Sequence, residues 1–322
     1  MTSNVAPSID LNTFYAFIGF FLAAYSVVGN DSVQTLGTFI ASNIRIFKWQ
    51  KLWLATSLVL ICTIWLSWFL NNGDISFGRL DKIPVSPILW YHAFAPLALL
   101  ILTRFGIPVS TTFLVLSTFA SGVLLREMLV KSVLGYGIAA LGSYALWLIL
   151  SRFINERHNR VKKEHRTHWR ILQWLGTCFL WVSWLTHDLA NVAVFLPRQV
   201  PLTTLLGVNL VLIGWLAYIF KNQGGRIQKI LLEKTGSRFM RSATIIDFVY
   251  AFLLIFFQQL NNIPMSTTWV FVGILCGREL AIANTTKDYT LRDVFPLIGK
   301  DFIKMLVGLL VSMAIVLGIH GL

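Results

Sequence analysis

The feature that most constrains this chain is a series of apolar runs, each about 17–22 residues long, separated by short polar stretches. A helix needs about 20 mostly apolar residues to cross the hydrocarbon core of a bilayer. Runs of that length recurring along one chain therefore predict an all-α polytopic membrane protein. Composition points the same way: 56% of the 322 residues are apolar and 13% are charged, against about 45–50% and about 25% in soluble domains. That balance excludes a soluble enzyme or a disordered binder. The polar stretch Met1 to Asp10 has neither a basic n-region nor a small-residue cleavage site, so no removable signal peptide is expected.

Length and polar breaks predict ten membrane segments, near 12–44, 52–70, 88–105, 109–125, 132–151, 171–197, 200–220, 243–260, 264–283 and 302–319, the first and sixth interrupted. Nineteen of the 27 Lys and Arg residues fall in loops that alternate correctly to share one side, around 45–51, 152–170, 221–241 and 284–301. Arg79, Lys82, Arg126, Lys131 and Arg198 fall on the other. The richer side should be cytoplasmic, which places both termini outside, with a prokaryotic plasma membrane as the expected location. Topology thus accounts for the net charge of +13, and nucleic acid is not an expected partner. Cys62, Cys178 and Cys276 share no metal-ligand spacing and read as small core residues.

A second pattern is internal. Asn30-Asp31-Ser32-Val33-Gln34 interrupts the first segment and His187-Asp188-Leu189-Ala190-Asn191 the sixth, their acids 157 positions apart. Pro108-Val109-Ser110-Thr111-Thr112 opens the fourth segment and Pro264-Met265-Ser266-Thr267-Thr268 the ninth, 156 apart. Two unrelated polar motifs recurring at one offset imply a duplication. With five segments in each half, the second half must run through the membrane upside down relative to the first. Inverted-topology repeats of this kind are an architecture of secondary transporters, with the site at the repeat interface near the midplane. The expected units are a first repeat over 1–151, a basic cytoplasmic connecting loop over 152–170, and a second, inverted repeat over 171–322.

A carboxylate at a helix centre costs about 2.5–3.5 kcal/mol on insertion scales, so Asp31 and Asp188 need a use or a partner. Gly29 is expected to let its helix unwind, so that Asp31 and the amides of Asn30 and Gln34 offer oxygen ligands to a small hard cation or a proton. His187 replaces an amide with a group that titrates near neutral pH; it is either part of that coupling or an interior hydrogen-bonded histidine. In each P-x-S-T-T motif the proline stops helix from continuing upstream, and the following hydroxyls cap a new helix whose free amides attract an anion. Ser110, Thr111 and Thr112 from one half, with Ser266, Thr267 and Thr268 from the other, are the candidate oxyanion ligands beside Asp31 and Asp188. The alternative is that these hydroxyls merely cap helices or bond back to the preceding turn. Arg278 with Glu279, and Arg126 with Glu127, read as ion pairs at segment ends, Asp247 as an acid near a wet span start, and Trp65, Trp68, Trp181 and Trp184 as interface or lipid-facing residues. No nucleotide-binding loop is present.

These residues resemble the PiT family of inorganic phosphate transporters, which carry a duplicated G-A-N-D-V-A-N-A-like motif and a duplicated P-V-S-T-T element. The resemblance runs through both halves and extends, loosely, to Gly224-Gly225-Arg226-Ile227-Gln228-Lys229-Ile230. It implies inverted repeats with broken helices or re-entrant hairpins at the centre, assembly as a homodimer, and phosphate symport with sodium or protons. It assigns Asp31 and Asp188 to the central acids, Asn30, Gln34 and Asn191 to the amides, and the six hydroxyl residues to the anion. His187 stands where an Asn is expected, Gln34 where another is, and Phe113 and Trp269 follow the Ser-Thr-Thr runs in place of a frequent His. The expected activity is phosphate transport coupled to sodium or protons by alternating access, without catalysis, organic cofactor or metal beyond sodium as co-substrate. A symporter for another oxyanion such as sulfate is the first alternative, followed by a passive anion channel and an intramembrane hydrolase built on His187 and Asp188.

Overall fold

A computed structural model describes residues 10–104, 109–151, 166–224, 240–260, 262–285 and 290–320. The first apolar run forms α1 (Leu11–Ser26), a π-helical turn (Val27–Asp31) and α2 (Ser32–Asn43). The helix widens at Gly29 where unwinding was expected. The Ser32 hydroxyl donates to the Val28 carbonyl and that of Thr35 to the Ser32 carbonyl at 2.8 Å, so the turn stays bonded in surroundings without water to satisfy freed backbone groups. Such π turns occur frequently at functional sites.

The chain continues through α3 (Trp49–Leu70), a loop over 71–89 and α4 (Trp90–Arg104). The fourth expected segment, 109–125, is not one spanning helix. It is a π turn at Thr112–Leu116 followed by irregular turns to residue 121 and then the long α5 (Gly122–Ser151). Past the π turn, Ser117 donates to the Phe113 carbonyl and Thr118 to that of Val115 at 2.7 Å.

Next come α6 (Arg166–Asp188), a break at Leu189, the single turn α7 (Ala190–Ala193) and α8 (Leu202–Lys221). After these lie α9 (Met240–Leu260), α10 (Thr267–Thr285) and α11 (Leu291–His320). Among the described residues there is no strand. Five helical stretches among the described residues are long and apolar enough to cross a membrane: Leu11–Gly29, Trp49–Leu70, Gly122–Leu150, Leu202–Lys221 and Leu291–Gly318. Trp90–Thr103 and Thr244–Leu260 are shorter apolar helices. Leu58, Phe69, Leu141, Leu210, Phe252 and Leu310 stand outward and exposed, an apolar exterior suited to lipid.

Because lipid is as apolar as leucine, helices in a bilayer associate through close packing and interhelical hydrogen bonds. α5 and α10 show both. A Cβ on Gly277 would lie 2.1 Å from the Ala140 carbonyl oxygen and one on Gly273 2.5 Å from that of Tyr136. Between them Ser143 donates across the interface to the Ile274 carbonyl at 2.8 Å. α6 approaches α9 in the same manner, with Gly176 against the Phe248 ring. Two expectations about side chains change here. Trp181 and Trp184 are fully buried and stacked at 5.1 Å, because the Trp181 indole reaches the Thr56 carbonyl of α3 at 3.1 Å; they pack the core instead of facing lipid. Of the three cysteines, Cys276 is buried whereas Cys62 is exposed on α3.

Candidate functional site

Asp31 closes the first π turn with its side chain buried, and accepts a hydrogen bond from the Thr111 hydroxyl. Thr111 is delivered by the segment that runs into the second π turn, where the Ser110 hydroxyl oxygen accepts from the Phe113 amide at 3.3 Å. The second half repeats the arrangement with different backbone. α6 ends at Asp188, whose Oδ1 accepts from the Asn191 amide at 3.0 Å after the break at Leu189. Thr267 opens α10 with its side chain beside the Asp188 carboxylate. The Ser266 hydroxyl oxygen accepts from the Trp269 amide at 3.2 Å, and the Ser266 amide donates to Ser132 at 2.9 Å. Both serines are therefore helix caps, as the plainer alternative holds, and each hydroxyl keeps its own proton to donate.

The two motif pairs meet. The Gln34 amide donates to the Thr268 hydroxyl at 3.1 Å, joining residues 234 positions apart. The Phe113 and Trp269 rings, one step beyond each Ser-Thr-Thr run, lie 5.7 Å apart. Asp31 and Asp188 are close enough for their charges to act on one another, and the Tyr250 hydroxyl donates to the Thr267 carbonyl at 2.9 Å. Asp31, Thr111, Thr112, Asp188, Asn191, Ser266, Thr267 and Thr268 are each at most 3% exposed and Ser110 is 5%, so these side chains lie in the interior. The side chain of Asn30, and Gly106-Ile107-Pro108 before the first motif, lie outside the described residues, as does most of the expected connecting loop 152–170 and of the 224–230 stretch.

His187 points away from this oxygen cluster. Its Nε2 lies 2.9 Å from the Leu254 carbonyl and 3.2 Å from a guanidinium nitrogen of Arg79. Arg79 can only donate, so it bonds to Nε2 when the ring proton is on Nδ1, whereas the Leu254 carbonyl can only accept and needs that proton on Nε2; the one nitrogen serves one of them at a time. Sequence reasoning missed Arg79, counting it as an outer-loop charge, and likewise Lys131, whose ammonium donates to the Ile263 carbonyl at 2.8 Å just before Pro264. Asp247 is also corrected: instead of standing in water it is buried, accepting from Thr38 of α2 at 2.9 Å and from Thr177 of α6 at 2.7 Å. Three helices converge there, which no local reading of the α9 sequence contains. Arg278 and Glu279 do pair, at 2.7 Å.

Three buried oxygens at the motifs, Gln34 Oε1, Asp188 Oδ2 and Asn191 Oδ1, take no hydrogen bond among the described residues. Unmet acceptors in a closed, apolar setting are costly, and a set of carboxylate and amide oxygens suits a small hard cation or a proton. Thr111, Thr267 and Thr268 stand against these acids and amides, hydroxyl donors without formal charge, which suit an oxyanion.

No family model and no curated protein matches the sequence. The fold matches a solved structure, that of a sodium-dependent phosphate transporter, with a TM-score of 0.67 over 96% of this chain and 96% of that one, at 16% identity.

Proposed function

We propose that this protein is a secondary transporter that moves inorganic phosphate by alternating access, coupled to sodium or protons. The observation that carries the reading is the meeting of two duplicated motif pairs in one closed site, with Thr111 on Asp31 and Gln34 on Thr268. Phosphate would take its donors from Ser110, Thr111, Thr112, Ser266, Thr267 and Thr268. The coupling cation would lie at Asn30, Asp31, Gln34, Asp188 and Asn191.

Coupling then has a physical cause. A carboxylate repels a bound anion in a site of low dielectric, and a cation between them, or a proton on the acid, relieves that repulsion. Each ligand strengthens binding of the other, and by linkage the effect is reciprocal. Burial of the site residues supports alternating access over a continuous channel. The matching caps at Ser110 and Ser266 support two related halves, 1–151 and 171–322, inverted in the membrane.

Hydroxyls and helix starts recognise tetrahedral oxygens without specifying phosphorus, so the deciding assay includes sulfate. Purified protein in proteoliposomes should accumulate labelled phosphate against its gradient when a sodium or a proton gradient is imposed, with excess sulfate failing to compete. Accumulation of sulfate in place of phosphate would reassign the substrate, equilibration without accumulation would mean a channel, and no movement of either anion by folded protein would overturn the transport reading.

A further inference from the structure

Among the described residues Arg79 is the most deeply buried cation, and the loop that carries it is built to hold it there. Asp74 accepts from the Ser76 amide and hydroxyl at 2.8 and 2.9 Å and from the Gly78 amide at 2.8 Å. Ser67 at the end of α3 donates to the Asp74 carbonyl and accepts from the Phe77 amide. Phe77 and Gly78 both adopt positive φ, 56° and 71°, a conformation rare for a bulky side chain, and the chain turns inward at the next residue. The loop is tied to the 197–201 segment by Val200, whose amide donates to the Gly73 carbonyl at 2.9 Å and whose carbonyl accepts from the Trp68 indole at 2.8 Å.

The guanidinium then clasps the two residues preceding Asp188. Its Nε donates to the Thr186 carbonyl at 2.8 Å, one Nη lies 3.2 Å from His187 Nε2, and the other reaches the Ile263 carbonyl at 3.4 Å. These partners are neutral, so their hydrogen bonds leave the positive charge uncancelled. The acid whose charge acts on it is Asp188, the residue that follows His187, and a buried guanidinium is tolerated when an opposite charge compensates it. The anchor is His187, the residue that stands where the first half has Asn30.

We propose that Arg79 is a resident countercharge for Asp188, occupying electrostatically the role a mobile coupling cation would otherwise play at the second motif, and that His187 positions it. This rests on the transporter reading above. The consequence concerns coupling: among the ligands proposed above for the cation, Asp188 is already neutralised when the anion binds, so the mobile charge is held on the Asp31 side and each cycle uses one cation fewer than a site with two mobile countercharges.

The test compares the wild type with Arg79→Gln, Arg79→Lys and the double variant Arg79→Gln/Asp188→Asn, in two measurements. The first is phosphate uptake as a function of cation concentration in proteoliposomes. Arg79→Gln should steepen that dependence by one further power of concentration and Arg79→Lys should keep the wild-type slope; the double variant, which lacks a coupling carboxylate, is read only in the second measurement. The second does not need transport: the melting temperature of detergent-solubilised protein is followed as sodium replaces choline, since a ligand that binds the folded state raises it. Arg79→Gln should acquire a sodium-dependent rise that Asp188→Asn removes. Equal slopes and equal sodium responses in wild type and Arg79→Gln would overturn the proposal. A wild type that moves no phosphate would overturn the transporter reading alone, because the melting series still reports whether Arg79 stands in for a cation.

Discussion

At the scale of single residues, the polar groups of this protein are distinguished by what they meet. Asp31 and Asp188 face hydroxyls and amides, whereas Asp247 is held by Thr38 and Thr177. Asp31→Asn and Asp188→Asn should each reduce gradient-driven phosphate uptake to the background of empty liposomes; unchanged uptake in either would remove that carboxylate from coupling. Asp247 supports a different expectation. Thr38→Val or Thr177→Val removes one hydrogen bond from a buried acid, at a cost of about 1–3 kcal/mol, readable as a lower melting temperature with the cation dependence of transport unaltered. The two should not add independently, since they share one acceptor. Thr111→Val is not a clean probe of anion binding, because its hydroxyl rests on Asp31 and its loss disturbs both ligands. The acids and hydroxyls were legible in sequence because an unpaired polar group in an apolar run is conspicuous. Arg79 and Lys131 were not. A cation near a segment end reads as an outer-loop charge, and what draws these two inward is the Ile263 carbonyl, more than 130 positions away from either.

Among the elements, the pairing of α5 with α10 sets how rigidly the second motif is held, for α10 begins at Thr267 and the Ser266 amide is bonded to Ser132 of α5. Gly277→Ala places a methyl 2.1 Å from a backbone oxygen, which neither helix can move aside cheaply. Overpacking of this kind costs about 1–3 kcal/mol, so the variant should melt several degrees lower. Gly137→Ala on the same α5 meets nothing within 4 Å and should be neutral or slightly stabilising, as alanine favours helix by up to about 1 kcal/mol over glycine. Equal melting temperatures for the two variants would refute the close-packed interface. Apolar run length revealed these helices, but not the π turns or the short fourth segment. A hydropathy window averages over the residues of a turn and does not register a local change in its hydrogen bonding.

For the whole molecule, the basic loops and the closed centre make separate predictions. Cysteines introduced singly into 152–170 should be labelled by an impermeant reagent added to the cytoplasmic face, and cysteines at either terminus from outside; the reverse pattern would invert the orientation expected from the Lys and Arg distribution. Sequence alone determined that the chain belongs in a bilayer as helices, and which acids and hydroxyls stand out in it, because both follow from the free energy of each stretch against its solvent. It also contained the repeat, since an offset of 156–157 positions is arithmetic on the sequence. The tertiary structure decided which groups share a site: Gln34 with Thr268, Phe113 beside Trp269, His187 withdrawn to anchor a guanidinium. These are contacts between segments far apart along the chain. No local preference specifies them, and they exist because buried donors and acceptors must find one another where water is absent.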